Sequence, residues 1–193
     1  NLILSSLPII NNKYNLITPI IMDRHKKLFA IKENHTDIKI ENIFEFSKSV
    51  KINSCNLFPE NITNYISLHL RLGDKYLESG IVPACVQNDS REFNEADLFN
   101  FIEKNINKTL IFFCDNNSYK LKIKNRYNNV ITTNCDIGHT GLSTTTEKQT
   151  FDGVTEFYLL TKAKEIYSAS YSGYPIIASL FKHIPLIKLY KEL

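Results

Sequence analysis

Tyr65-Ile-Ser-Leu-His-Leu-Arg71 alternates β-forming residues with a period of two, and a polar loop carrying Gly73, Gly80 and Pro83 follows. That reads as a strand with its end marked. Farther on, Thr109-Leu-Ile-Phe-Phe-Cys-Asp115 is a near-continuous apolar run that stops at an acid. Such a run is what a strand covered on both faces looks like. Between the two, Asn94 is placed to cap an amphipathic helix with Ala96, Phe99, Ile102 and Ile106 on one face. Strand, helix, covered strand is the signature of a βαβ unit and a parallel sheet.

The pattern continues toward the C-terminus. Asn117 to Tyr127 reads as a helix, Asn129 to Thr133 as a strand, and Asn134 to Thr150 as a polar loop. Phe151 to Lys164 follows as a helix, with Val154, Phe157, Tyr158 and Leu160 or Thr161 turned inward. Glu165 to Ser170 is a strand, Ser172-Gly173 a turn, and Pro175 lies in the first turn of a helix through Phe181. Ile184 to Tyr190 is the last strand. The fold class expected is α/β, with a Rossmann-like, mostly parallel sheet over residues 61–193. Residues 1–60 are less regular and read as the remnant of a preceding domain or a linker. Within them Leu2 to Ile10 is a helix end or strand, Asn15 to Met22 a short strand, and Glu41 to Lys48 a short helix.

Composition excludes several functional classes. The 193 residues are 43% hydrophobic with a net charge of +3, which is too apolar and too weakly charged for a disordered chain. Four cysteines, at 55, 85, 114 and 135, show neither C-x-x-C nor metal-ligand spacing. Cys114, inside the apolar strand, is expected as a buried free thiol. No apolar run reaches the roughly 18 residues of a membrane helix. The opening Asn-Leu-Ile-Leu lacks a basic n-region, and the non-Met start reads as trimmed. A cytoplasmic protein with no transmembrane segment and no nucleic-acid partner is the expectation. Five Asn-x-Ser/Thr triplets, at Asn34, Asn61, Asn88, Asn107 and Asn116, are then chance occurrences in an Asn-rich chain. Lys120, Lys122, Lys124 and Arg126 read as a solvated helix face, and Asp23 to Lys27 as a polar loop.

Ligands of open parallel sheets bind beyond the carboxyl ends of the strands. Those ends hold His69, Arg71, Gly73 and Asp74, then Asp115, Asn116 and Asn117, then Thr132, Thr133 and Asn134, and finally Ser168, Ser170, Ser172 and Gly173. One fixed cation, one or two carboxylates and a Ser/Gly turn opening a helix suit phosphate oxygens and a ribose or base. A nucleotide or nucleotide sugar is the ligand class this implies. The P-loop and G-x-G-x-x-G fingerprints are absent, as are H-E-x-x-H and G-x-S-x-G. Each residue also has a plainer role open to it. Arg71 could sit in a surface ion pair, His69 in the core, Asp74 in a turn, Asp115 at a helix cap, and Glu156 on an exposed helix face. His139, in the polar loop, is a minor candidate.

His69-Leu-Arg71-Leu-Gly73-Asp74 resembles the H-x-R-x-G-D motif of the fucosyltransferase superfamily, which holds the α-1,2-, α-1,6- and protein O-fucosyltransferases. Leu110 to Asp115 is similar to the family's apolar strand ending in Asp. Glu156 to Leu160, followed by Glu165 to Tyr174, is similar to its acidic helix, strand and Ser-rich turn, in the same order. The resemblance covers about residues 65–190. It implies the C-terminal, donor-binding domain of a GT-B glycosyltransferase that transfers fucose from GDP-fucose to a glycan or other hydroxyl acceptor, inverting the anomeric centre without a metal or cofactor. Arg71 would be the catalytic residue, binding the donor's diphosphate. His69, Gly73, Asp74, Asp115, Glu156, Ser170, Ser172 and Gly173 would complete the donor site. Glu156 stands where the family often has a shorter Asp, and Tyr171 and Tyr174 depart from its Ser-rich turn. Another nucleotide-sugar transferase, or a non-catalytic Rossmann-like binding module, is the alternative.

Overall fold

The computed structural model describes residues 9–10, 41, 44–57, 62–78, 90–138 and 144–191. The expectations for Asn15–Met22, Asp23–Lys27, His139 and the triplets at Asn34, Asn61 and Asn88 lie outside these residues. Five parallel strands form the sheet: β3 (Ile66–Leu70), β4 (Leu110–Cys114), β5 (Val130–Thr132), β6 (Glu165–Ser168) and β7 (Leu186–Lys188). Their spatial order is β5-β4-β3-β6-β7. The chain therefore runs outward from β3 through β4 to β5, crosses over, and runs outward again from β6 to β7. The reversal falls between β3 and β6, whose register sets Ile66 opposite Glu165 and His69 opposite Ser168. This is the Rossmann-like α/β architecture expected from the strand and helix pattern.

Alternation along β3 sorts the layers. Ile66, Leu68 and Leu70, with Leu110, Phe112 and Cys114 of β4, pack on α2 (Glu95–Lys104) and α3 (Asn117–Arg126) through Leu98, Ile102, Ile123 and Tyr127. On the other face Ile111, Phe113 and Ile166 meet Leu159 and Leu160 of α4 (Glu147–Leu160) and Ala178 of α5 (Gly173–Lys182). Ile111, Phe112 and Phe113 are completely buried, each worth about 1.5–3 kcal/mol over an exposed position. The covered-strand reading of β4, and the buried thiol at Cys114, hold.

Helix ends follow local capping. Asn94 accepts from the N–H groups of Ala96 (2.9 Å) and Asp97 (3.3 Å), as its position before α2 implies. The inner face of α2 is narrower than expected. Leu98 and Ile102 are buried, Ala96 is exposed, and Ile106 lies beyond the helix end with 58% of its surface exposed. The helix stops at Lys104, where the Asn105 amide turns back onto the Phe101 carbonyl (2.8 Å). Helix α4 begins at Glu147 rather than Phe151, because Thr146 and Gln149 form a capping box inside what reads as a polar loop. It ends at Leu160, four residues before the expected Lys164.

The helix expected over Glu41 to Lys48 is displaced. Phe44–Glu45 (β2) is extended and pairs antiparallel with Ile9–Ile10 (β1). Ser47, whose hydroxyl accepts from the Val50 N–H (3.3 Å), then starts α1 (Lys48–Leu57). Phe46 and Val50 pack on Leu180 and Phe181 of α5, adding a helix outside the α4/α5 layer.

Candidate functional site

Arg71 is the first residue beyond β3, beside the reversal in strand order. Its backbone is locked to β6's extension. The Arg71 N–H donates to Ser170 Oγ (2.9 Å), and that hydroxyl donates to the Arg71 carbonyl (2.8 Å). Ser170, completely buried, thus fixes where Arg71 stands. The guanidinium pairs with Asp74 through Nη2 and lies 3.8 Å from Asp115 Oδ2 through Nη1. Its side chain is 23% exposed, whereas those of Asp74 and Asp115 are 2% and 5% exposed. The arrangement presents a fixed cation at the rim and keeps the carboxylates behind it.

Asp115 does more than balance charge. Its two oxygens accept from the backbone N–H groups of Leu72 (2.8 Å) and Gly73 (3.1 Å). Gly73 itself has φ 107° and ψ 166°, a conformation essentially reserved for glycine, so the chain changes direction immediately after the two clasped N–H groups. Burial raises the Asp115 carboxyl, opposed by the Leu72 N–H, the Arg71 charge and the Gly73 N–H. The cap of α3 is the next residue, Asn116, which accepts from the Tyr119 N–H (2.7 Å). Asp115 is therefore a clasp on the β3 loop rather than a helix cap.

His69 points to the α4/α5 side and is only 7% exposed. Its ring stacks on Tyr174 with centroids 5.5 Å apart, and its Nδ1 is buried with no hydrogen-bond partner. Burial, reinforced by the nearby Arg71 charge, pushes the imidazole down to about 3, so it is neutral at physiological pH. Tyr174 is held in turn by its hydroxyl, which donates to the Gly153 carbonyl of α4. Ser168 Oγ donates to the Ser170 carbonyl (2.8 Å) and shapes the turn after β6. Ser172 caps α5 by accepting from the Tyr174 N–H (3.3 Å), Gly173 opens the helix, and Pro175 lies in its first turn. The N-terminus of α5, with its partial positive charge, therefore adjoins the β3–β6 edge.

Glu156 belongs to a second cluster, committed to partners within the protein. Its carboxylate receives Lys120 Nζ (2.8 Å) and the Thr133 hydroxyl. Lys120 Nζ also donates to Thr133 Oγ1 (3.1 Å) and the Cys135 carbonyl (3.0 Å). Both side chains are almost fully buried. Burial raises the Glu156 carboxyl while Lys120 and Thr133 pull it down. The reading of Lys120 as part of a solvated face is thus corrected, whereas Lys122, Lys124 and Arg126 are exposed. The sequence held the signal, because Lys120 precedes Ile123 by three and Tyr127 by seven, and both lie on the buried face. Beside this cluster Asp152 accepts from the Asp136 N–H (3.0 Å) and from Lys148.

The structure brings His69, Arg71, Gly73, Asp74, Asp115 and Ser170 together, with Ser172 and Gly173 on the adjoining helix start. Two further residues shape the site, one of which the sequence marks only as a departure from the Ser-rich turn and the other not at all. Tyr174 supports His69, and Glu78 places its carboxylate on the N–H groups of Asn117 and Ser118 (2.8 Å each). No spacing rule links Glu78 to α3, because the contact depends on how the β3 loop folds. Among the described residues no group of three or more His, Cys, Asp or Glu is placed to hold a metal ion, and no helix is long and apolar enough to cross a membrane. No protein-family model and no curated protein matches the chain.

Proposed function

We propose that this chain binds a nucleoside-diphosphate sugar at the carboxyl edge of β3 and β6 and is the donor-binding part of a glycosyltransferase, with GDP-fucose as its donor. One observation carries the reading. A rim arginine, braced by two buried carboxylates and backbone-locked to Ser170, stands beside the N-terminus of α5 at the reversal in strand order. In the transfer step an acceptor hydroxyl attacks the anomeric carbon opposite the diphosphate, the bond from that carbon to the phosphate oxygen breaks, and the hydroxyl proton passes to solvent. Arg71 and the first turn of α5 stabilise the negative charge that grows on the departing diphosphate. The resemblance of the H-x-R-x-G-D segment to fucosyltransferases selects the donor; the acceptor is a glycan or another hydroxyl compound.

Calorimetric titration of GDP, UDP and CDP tests this directly. GDP is expected to bind most tightly, and Arg71→Ala to weaken it by about 1.5–3 kcal/mol, the worth of a charged hydrogen-bonded pair. Equal binding of all three diphosphates would move the reading to a different nucleotide-sugar transferase. Binding without donor hydrolysis or transfer would leave a non-catalytic module.

A further inference from the structure

The loop that carries Arg71, Gly73 and Asp74 is tied to the β4–α3 corner at three successive places. Asp115 takes the N–H groups of Leu72 and Gly73, and Asn116 Nδ2 donates to the Tyr76 carbonyl (2.8 Å). The third tie is Glu78, whose two oxygens each accept one of the first N–H groups of α3, Asn117 and Ser118. A carboxylate bound through both oxygens at a helix start is how these folds receive an anion, and it is favoured by the helix dipole. Here the anion is the chain's own, delivered by the loop it holds down. Glu78 is exposed, unlike Asp74 and Asp115. It is therefore the tie that can be removed without opening the core.

We infer that Glu78 is a positioning residue for the candidate site, clipping the β3 loop to α3 so that Arg71 is held toward the β3–β6 edge. By filling α3's N-terminus from within, the clip also leaves α5 as the helix start that a ligand phosphate meets. The clip is a claim about the loop, and only its purpose rests on the proposed nucleotide-sugar reading. A plain helix cap differs from it in one respect: losing the cap would loosen α3 and leave the β3 loop undisturbed.

Amide hydrogen exchange on the full chain separates these roles, with wild type compared to Glu78→Ala and Glu78→Gln. In Glu78→Ala, exchange at Asn117 and Ser118 is expected to rise about fivefold to tenfold, the scale of a lost cap. The same variant should speed exchange at Leu72 and Gly73 several-fold. Glu78→Gln, which keeps one accepting oxygen, should fall between. Titration with GDP and with pyrophosphate should show both affinities falling about threefold to tenfold in Glu78→Ala, because the Arg71 pose serves either ligand. Faster exchange at α3 with none at Leu72 and Gly73 would reduce Glu78 to a helix cap and overturn the inference. An opened loop with unchanged affinity for both ligands overturns it as well. Failure of the wild type to bind GDP or pyrophosphate would instead remove the proposed function, and the exchange pattern would still decide the clip.

Discussion

Replacing Lys120 by Met should reveal the energetic character of the cluster at the end of β5. In the native protein the Glu156 carboxylate is almost fully buried against Lys120 Nζ at 2.8 Å. Lys120→Met keeps an unbranched chain in place and strands that carboxylate. A stranded buried carboxylate can take up a proton, and this bounds the loss. For a carboxyl with an unfolded pKa near 4.3, protonation at pH 7 costs about 1.36 kcal/mol per unit, or roughly 3.7 kcal/mol. That agrees with the 3–5 kcal/mol typical of breaking a buried pair. For a chain of this size it corresponds to about 7–15 °C in melting temperature. The pH dependence carries the signature. In the variant the native state keeps a proton that the unfolded state has released, since burial raises the folded carboxyl above its unfolded value. Stability is then greatest below the unfolded value and falls as pH rises, by up to about 1.4 kcal/mol per unit until the folded carboxyl ionises. Thermal melts of wild type and variant between pH 5 and pH 8 should therefore converge on the acid side. Glu156→Gln should differ, because Thr133 Oγ1, the Cys135 carbonyl and the new amide oxygen still receive Lys120. A Lys120→Met protein that melts within 1–2 °C of wild type, with a parallel pH profile, would refute the buried pair.

Two further perturbations test neighbouring features. Gly73→Ala should cost about 1–3 kcal/mol, because its φ of 107° is strained for any side chain, and should also weaken GDP binding by disturbing the Asp115 clasp; thermal melts and calorimetry read the two effects. Native-state alkylation followed by peptide mass mapping should label exposed Cys55 quickly and spare buried Cys114 and Cys135, whose thiols burial pushes up, Cys135 to about 12. Rapid labelling of Cys114 would mean that β4 is not covered on both faces.

How far the sequence exposed this architecture depends on the range of the contacts involved. Strand β4 was legible because five consecutive apolar residues admit few other readings, and Asn94 because its capping bond spans only two or three residues. The start of α4 was obscured by polar Thr146 and Gln149, which form a cap in a stretch that resembles loop. The charge of Lys120 points to solvent, and its burial follows instead from its place on the Ile123–Tyr127 face. At the candidate site, the strand-end rule alone assigns His69, Arg71, Asp74, Asp115 and Ser170 to one edge. Their individual roles were not legible. That Ser170 bonds the Arg71 backbone, and that Asp115 clasps Leu72 and Gly73, depends on pairings between strands distant in sequence.

The balance of charge around Arg71 leads to one more prediction. One guanidinium faces two carboxylates, a local formal sum of −1 that by itself works against a diphosphate. Burial resolves the conflict. With Asp74 2% exposed and Arg71 23% exposed, the proposed diphosphate would meet the guanidinium on the side away from Asp74, and the carboxylate would act chiefly by aiming the fork. Asp74→Asn retains an accepting oxygen for Arg71 and deletes one negative charge. At a separation of about 7 Å and an effective dielectric of 40–80, that charge opposes a phosphate by roughly 0.6–1.2 kcal/mol. GDP should therefore bind about threefold to sevenfold more tightly to Asp74→Asn at low salt. The advantage should shrink as salt brings the screening length down toward 8 Å. Asp74→Ala should do the opposite, because without an acceptor the fork loses its orientation. If Asp74→Asn weakens GDP as much as Asp74→Ala does, the charged pair itself is what aims the fork, and the view that the Asp74 charge opposes the phosphate fails.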